Sequence, residues 1–209
     1  MHALLLIDIQ NDFLPGGALA VPEGDAVIPV ANRLLPHFPL VVATQDWHPA
    51  THGSFAVNHA GRQAGEIIEL GELPQVLWPA HCVQCTPGAE LAPALDVARI
   101  MHIVRKGTDP AIDSYSGFFD NGHRQATGLE ALLRAQGADT LYLLGLATDY
   151  CVKFTAFDAR RLGFTTVLVL DGCRGVNLHP GDVEQAIEEM REAGVELVHS
   201  DEVIEHRLA

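Results

Sequence analysis

The chain is poor in positive charge. Its 209 residues carry 13 Lys and Arg against 27 Asp and Glu, a formal net charge of −14. That balance argues against nucleic acid and against an anionic membrane surface as partners, since both call for a basic patch. No apolar run is long enough to cross a bilayer, and no basic segment followed by an apolar one marks a signal peptide. The expected address is therefore cytoplasmic. Four cysteines, Cys82, Cys85, Cys151 and Cys173, are too few in a chain of this length to read as a disulfide framework, and in that compartment they are expected reduced. Internal repeats, low-complexity tracts and dividing linkers are also missing, so residues 1–209 read as one domain. A small-molecule substrate remains open, as does a homo-oligomer.

Short apolar runs alternate with amphipathic segments. Strands are expected over 3–7, 40–43, 100–104, 141–146, 167–170 and 195–198. Helices are expected over 25–36, 127–136 and about 149–162, with another marked by Val183, Ala186, Ile187 and Met190. Thr127 and Glu130 have capping-box spacing and Gly137 ends that helix, while Pro29 weakens the start of the first helix. Alternation of this kind predicts an α/β fold: one three-layer α/β/α domain around a mostly parallel sheet of about six strands. Residues 49–93 break the rhythm. This stretch, within a loop region of about 47–95, is rich in Gly, Pro and His, and so long a loop in a compact domain is usually functional.

Ligands bind open α/β sheets at the carboxyl ends of the strands. Asp8 ends the first expected strand, Asp46 follows the second, Lys106 the third and Cys151 the fourth. Four reactive side chains thus gather at one edge. Cys151 is placed in the first turn of a helix, where the helix dipole favours thiolate and backbone N–H groups can hold an oxyanion; a buried structural cysteine is the competing assignment. Asp8 is a candidate general base, and Lys106 could pair with it and hold the thiolate. Asp46 and His48, with His81 from the long loop, offer a carboxylate and two imidazoles suited to one divalent ion: zinc, iron or manganese. His52 and His59 compete for that role. Cys82 and Cys85 form a C-x-x-C, but the second pair that a structural zinc site would want is missing.

Several segments together resemble the nicotinamidase/pyrazinamidase branch of the isochorismatase-like cysteine hydrolases. They are Leu6-Ile7-Asp8-Ile9-Gln10-Asn11-Asp12-Phe13, Thr44-Gln45-Asp46-Trp47-His48-Pro49 and Trp78-Pro79-Ala80-His81-Cys82-Val83, followed by Arg105-Lys106-Gly107, Ser114-Tyr115-Ser116-Gly117-Phe118 and Gly145-Leu146-Ala147-Thr148-Asp149-Tyr150-Cys151-Val152. The resemblance runs essentially the length of the chain. It implies a triad of Asp8, Lys106 and Cys151, metal ligands Asp46, His48 and His81, and His52 as a further ligand or a water-mediated contact. It also implies a cis peptide before Ala147 that turns the N–H groups of Ala147 and Cys151 to the oxyanion. Phe13 and Trp78 match aromatic pocket walls, and Tyr115 matches more loosely. Cys85 departs from the usual small polar residue. Isochorismatases share the fold but lack the Asp-x-His pair as a group, so Asp46 and His48 favour the nicotinamidase branch. The implied activity is metal-assisted hydrolysis of nicotinamide, and of pyrazinamide, to the acid and ammonia. The alternatives are another small-amide or isochorismatase-type hydrolase, a non-catalytic pyridine- or metal-binding module, and a redox protein built on Cys82 and Cys85.

Overall fold

Strand β1 (His2–Ile7) is the middle of the molecule. Its residues Leu4, Leu5, Leu6 and Ile7 have no exposed surface, and burial of such side chains stabilises the fold by roughly 1.5–3 kcal/mol each. A strand apolar on both faces must be covered on both faces, and this one is. The computed structural model describes residues 1–208.

The order of elements after β1 is α1 (Val27–Leu34), β2 (Leu40–Asp46), the hairpin β3 (Ile67–Leu70) and β4 (Leu73–Val76), β5 (His102–Lys106), α2 (Leu129–Ala135), β6 (Thr140–Leu146), α3 (Lys153–Arg161), β7 (Thr165–Arg174), α4 (Asp182–Glu192), β8 (Glu196–Val198) and α5 (Ser200–Leu208). Six strands form one sheet in the order β5-β2-β1-β6-β7-β8, and every pairing in it is parallel. Helices α1 and α5 pack together against β7, and α3 and α4 form a separate pair against it, giving an α/β/α arrangement. From β1 the chain builds outward through β2 to β5, then crosses to β6 on the other side of β1. The reversal opens a crevice beyond the carboxyl ends of β1 and β6, where ligands bind open α/β sheets.

The six expected strands are all present, with shifted bounds. The third runs two residues further than expected, so that Lys106 is its last residue, paired across from Asp46. The expected helix over 25–36 is an α-helix flanked by 3-10 turns, Gly24–Ala26 and Leu35–His37. Pro29 sits in the first turn of α1, where an N–H has no partner in the helix to lose. The expected capping box does not form as such. Gly128, at φ +94°, precedes α2; Thr127 Oγ1 accepts the Leu129 N–H at 3.1 Å, and Glu130 pairs with Arg134. The expected helix over 149–162 is a π-helical turn, Thr148–Val152, followed by α3. The long loop is not structureless: it contains the antiparallel β3–β4 hairpin and short 3-10 turns at Ala56–Asn58 and Pro87–Ala89, and it buries Phe55 completely. Helix α5 was not anticipated. Its sequence carries too little apolar periodicity to announce it.

Gly145 explains how β6 can lie against β1 at the crevice. Its φ is +131°, and a Cβ there would stand 2.1 Å from the Ile7 carbonyl oxygen. Gly145→Ala should therefore cost at least about 3 kcal/mol of stability, read as a lowered urea midpoint. An unchanged midpoint would show that β1 and β6 can separate at little cost.

Candidate active site

Three strand ends and one turn meet at this edge. Asp8 directly follows β1 in a left-handed conformation (φ +49°) that an Asp tolerates better than most residues. Thr44 on β2 fixes its carboxylate: the Thr44 hydroxyl donates to Asp8 Oδ1 at 2.6 Å and accepts the Asp8 N–H at 3.2 Å. Lys106 ends β5, fully buried, with its Nζ 2.9 Å from Asp8 Oδ2, 2.5 Å from Asp46 Oδ1 and 3.3 Å from Cys151 Sγ. It also donates to the Ser114 carbonyl at 2.9 Å. Donor atoms of Asp8, Asp46 and Cys151 lie within 4.8 Å of one another. Asp8 Oδ2 has Lys106 as its ionic partner, and the Asp8 carboxylate stands beside the thiol, whose pKa it raises.

The sulfur is not the ready thiolate that a helix start suggests. Burial pushes the Cys151 thiol well above its usual range; Lys106 opposes this, and the Asp8 and Asp46 carboxylates reinforce it. Desolvation outweighs the dipole of one irregular turn. Burial also raises the Asp8 carboxyl, although Lys106 pulls it down, so Asp8 is a stronger base than an exposed aspartate. Burial disfavours the Lys106 ammonium, but Asp46 and Asp8 outweigh it and keep the group charged. Burial thus favours the neutral thiol, with a basic carboxylate and a fixed cation beside it.

Asp46, His48 and His81 place one ligand atom each within 4.8 Å of one another, all three side chains being buried. His48 Nδ1 lies 2.8 Å from the Gly107 carbonyl and His81 Nδ1 2.8 Å from the Pro79 carbonyl. A carbonyl only accepts, so each Nδ1 carries the proton and each Nε2 presents a lone pair, as in metal-binding histidines. Those Nε2 atoms are 3.5 and 4.0 Å from Asp46 Oδ2, the oxygen that Lys106 does not occupy. Gly107 has φ +63°, and a Cβ on it would stand 2.3 Å from His48 Cε1, so only glycine allows this carbonyl to approach the ring. Gln10 anchors Asp46 from both sides of its backbone, accepting its N–H and donating to its carbonyl, each at 2.8 Å. The donor set fits one divalent cation. His52 Nδ1 lies 2.7 Å from Ser54 Oγ and 3.2 Å from the Ser54 backbone nitrogen. Its buried Nε2 has no hydrogen-bond partner, and His52 offers a second group of possible cation donors with His48 and Asp113.

A small cavity opens onto both groups. Cys151 and Ala147 line it, with a cis peptide joining Leu146 to Ala147. So do Asp46, His48 and His81, and the aromatic rings of Phe13, Trp78 and Tyr115. Asp8 and Lys106 lie buried beyond Cys151, and the competing candidates His52 and His59 do not line the cavity. Residues not anticipated also line the cavity: Asp113, Tyr150, Leu19 and Val176. Tyr150 stands next to Cys151 in sequence and its ring packs edge-on against Trp78 at 4.9 Å, so adjacency could have suggested it. Leu19 and Val176 carry no signal that separates them from core residues. Cys82 and Cys85 are free thiols, the first buried and the second exposed.

The isochorismatase domain profile matches residues 2–202. The chain belongs to the isochorismatase family. Among its relatives in that family, the nicotinamidase of Escherichia coli strain K12 is 53% identical over 200 residues, covering 94% of this chain and 93% of the relative. A solved Acinetobacter nicotinamidase/pyrazinamidase superposes with a TM-score of 0.94 at 46% identity, covering 97% of each chain. The pyrazinamidase of Pyrococcus horikoshii, solved in complex with zinc, superposes with a TM-score of 0.79 at 40% identity, covering 95% of this chain and 98% of that one.

The donor geometry makes a direct prediction. His81→Ala should weaken zinc binding by roughly 100-fold or more, measured by competition with a chromophoric chelator. Equal zinc affinity in the variant would remove His81 from the ligand set.

Proposed function

We propose that this chain hydrolyses the carboxamide of nicotinamide, releasing nicotinic acid and ammonia. The observation that carries the reading is the meeting, at one aromatic-walled cavity, of a Cys151–Lys106–Asp8 cluster with the cation donors Asp46, His48 and His81. The relatives named nicotinamidase support the choice of substrate. A flat ring fits between Phe13 and Trp78, whose faces favour aromatic contact. A zinc, iron or manganese ion held by Asp46, His48 and His81 supplies an electron-pair acceptor for a ring nitrogen and so a fixed orientation for the ring. Pyrazinamide has a nitrogen at the same distance from its carboxamide, so it falls within the same reading.

Asp8 takes the thiol proton as sulfur attacks the carbonyl carbon. Transfer and attack are coupled, because burial keeps Cys151 protonated until substrate arrives. Lys106, 3.3 Å from Sγ, stays an ammonium and stabilises the sulfur as its proton leaves. The carbonyl oxygen becomes an oxyanion held by the N–H groups of Ala147 and Cys151; one such donor is typically worth ~10²–10³ in rate. The tetrahedral adduct collapses, the C–N bond breaks, and nitrogen leaves as ammonia with the proton from Asp8. Water then attacks the thioester and gives a proton to Asp8. Sulfur departs, recovers that proton, and nicotinic acid is released.

Two expectations follow from these roles. Cys151→Ala should lower ammonia release from nicotinamide by at least ~10³-fold while nicotinamide still binds, as seen by calorimetry; undiminished turnover would remove Cys151 as the nucleophile. Benzamide has the same ring without nitrogen, and should bind the zinc-loaded protein at least about tenfold more weakly than nicotinamide. Equal binding would show that the ring nitrogen is not read.

A further inference from the structure

The β3–β4 hairpin sends one polar side chain inward. Gln75 on β4 is 3% exposed and lines no part of the ring cavity, yet its amide nitrogen meets three acceptors. Nε2 lies 2.8 Å from the Val76 carbonyl, 3.1 Å from Asp113 Oδ2 and 3.0 Å from the Tyr115 hydroxyl oxygen. Turning the amide over would set Oε1 against a carbonyl and a carboxylate, so the NH₂ group belongs where it stands. The Tyr115 oxygen in turn accepts the Trp78 indole N–H at 3.2 Å. One side chain therefore ties together three residues that line the cavity: Asp113 and Tyr115 directly, and Trp78 through Tyr115. Arg124 also ties the hairpin tip, through the Gly71 carbonyl at 2.7 Å and Glu72 at 3.1 Å.

We infer that Gln75 is a positioning residue that sets the width of the ring slot by fixing Trp78 and Tyr115 against Asp113, and so governs affinity for flat heteroaromatic amides without taking part in bond making. The inference rests on reading this cavity as the slot for the substrate ring. Without the amide, the Tyr115 oxygen and Asp113 Oδ2 each lose a donor in a dry setting, and the aromatic wall is free to drift from the acid. The Cys151 cluster is held on other elements, β1, β5 and the turn after β6, and its hydrogen-bonded link to this wall is the Lys106 bond to the Ser114 backbone carbonyl, which the Gln75 side chain does not touch.

Gln75→Leu keeps the approximate size and removes the donors. In the Cys151→Ala background it should weaken nicotinamide binding about tenfold, measured by calorimetry on zinc-loaded protein. With Cys151 present, KM should rise by a similar factor while kcat stays within about twofold, and the rate of Cys151 alkylation by iodoacetamide should not change. Unaltered nicotinamide affinity, or a fall in kcat together with slower alkylation, overturns the inference. If Gln75→Leu does not fold, Tyr115→Phe decides: it deletes the oxygen that links Gln75 to Trp78 and should raise the dissociation constant at least about threefold, with an unchanged constant counting against the proposal. A Cys151→Ala protein with Gln75 intact that binds no nicotinamide defeats the ring-slot reading itself, and the role of Gln75 with it.

Discussion

A single buried ammonium organises this site. Lys106 Nζ has the Asp8 carboxylate at 2.9 Å, the Asp46 carboxylate at 2.5 Å and the Cys151 sulfur at 3.3 Å, and all four residues are buried. Two carboxylates so close together could not both stay ionised in a dry interior without a cation between them. Lys106 supplies that cation, and burial makes its charge effective at short range. The same contact links the two halves of the chemistry. Asp46 gives one oxygen to Lys106 and turns the other towards His48 and His81, so the amine that holds the nucleophile also orients the cation site. This coupling is why three neighbouring strands must end in register. Pairing of Asp46 with Lys106 across β2 and β5 sets the ammonium beside both acids before any side chain adjusts.

That register was legible in the sequence because β1, β2 and β6 are apolar on both faces. A run such as Ala3 to Ile7 can only be a covered strand, and the first polar residue after it marks the sheet edge. Asp8 follows from this rule; Asp46 comes two residues after the first polar residue, Thr44, and Cys151 lies in the turn after the apolar run that ends at Leu146. Lys106 was found beyond a strand whose bounds were set two residues too early, since Met101, just before the outer strand β5, and Ile103 within it are apolar yet half exposed. The hairpin was invisible for another reason. Ile67 and Leu73 carry strand character, but each strand has four residues, Pro74 sits in the second, and neither joins the main sheet. Gln75 could not be singled out, because nothing in one chain's sequence distinguishes an inward glutamine from an outward one.

The protonation of Cys151 shows where local reasoning stops. Position at a helix start argues for a thiolate, and that argument counts only neighbours in sequence. The folded site adds complete burial and two nearby carboxylates, both of which favour the neutral thiol, and their sum is larger. The consequence is chemical. A thiol held neutral until substrate enters is protected from adventitious alkylation and oxidation, and a buried basic aspartate is then required to remove its proton. Asp8, beside both the thiol and Lys106, is the group we assign to that step.

The account stands or falls on a covalent bond to one sulfur. Rapid acid quench of the protein during turnover of nicotinamide, followed by proteolysis and mass spectrometry, measures it directly. The account predicts a transient mass increase of one nicotinoyl group confined to the peptide bearing Cys151. Turnover with no such adduct on any peptide, under conditions where a synthetic thioester standard survives the quench, or an adduct on Cys82 instead, would contradict it.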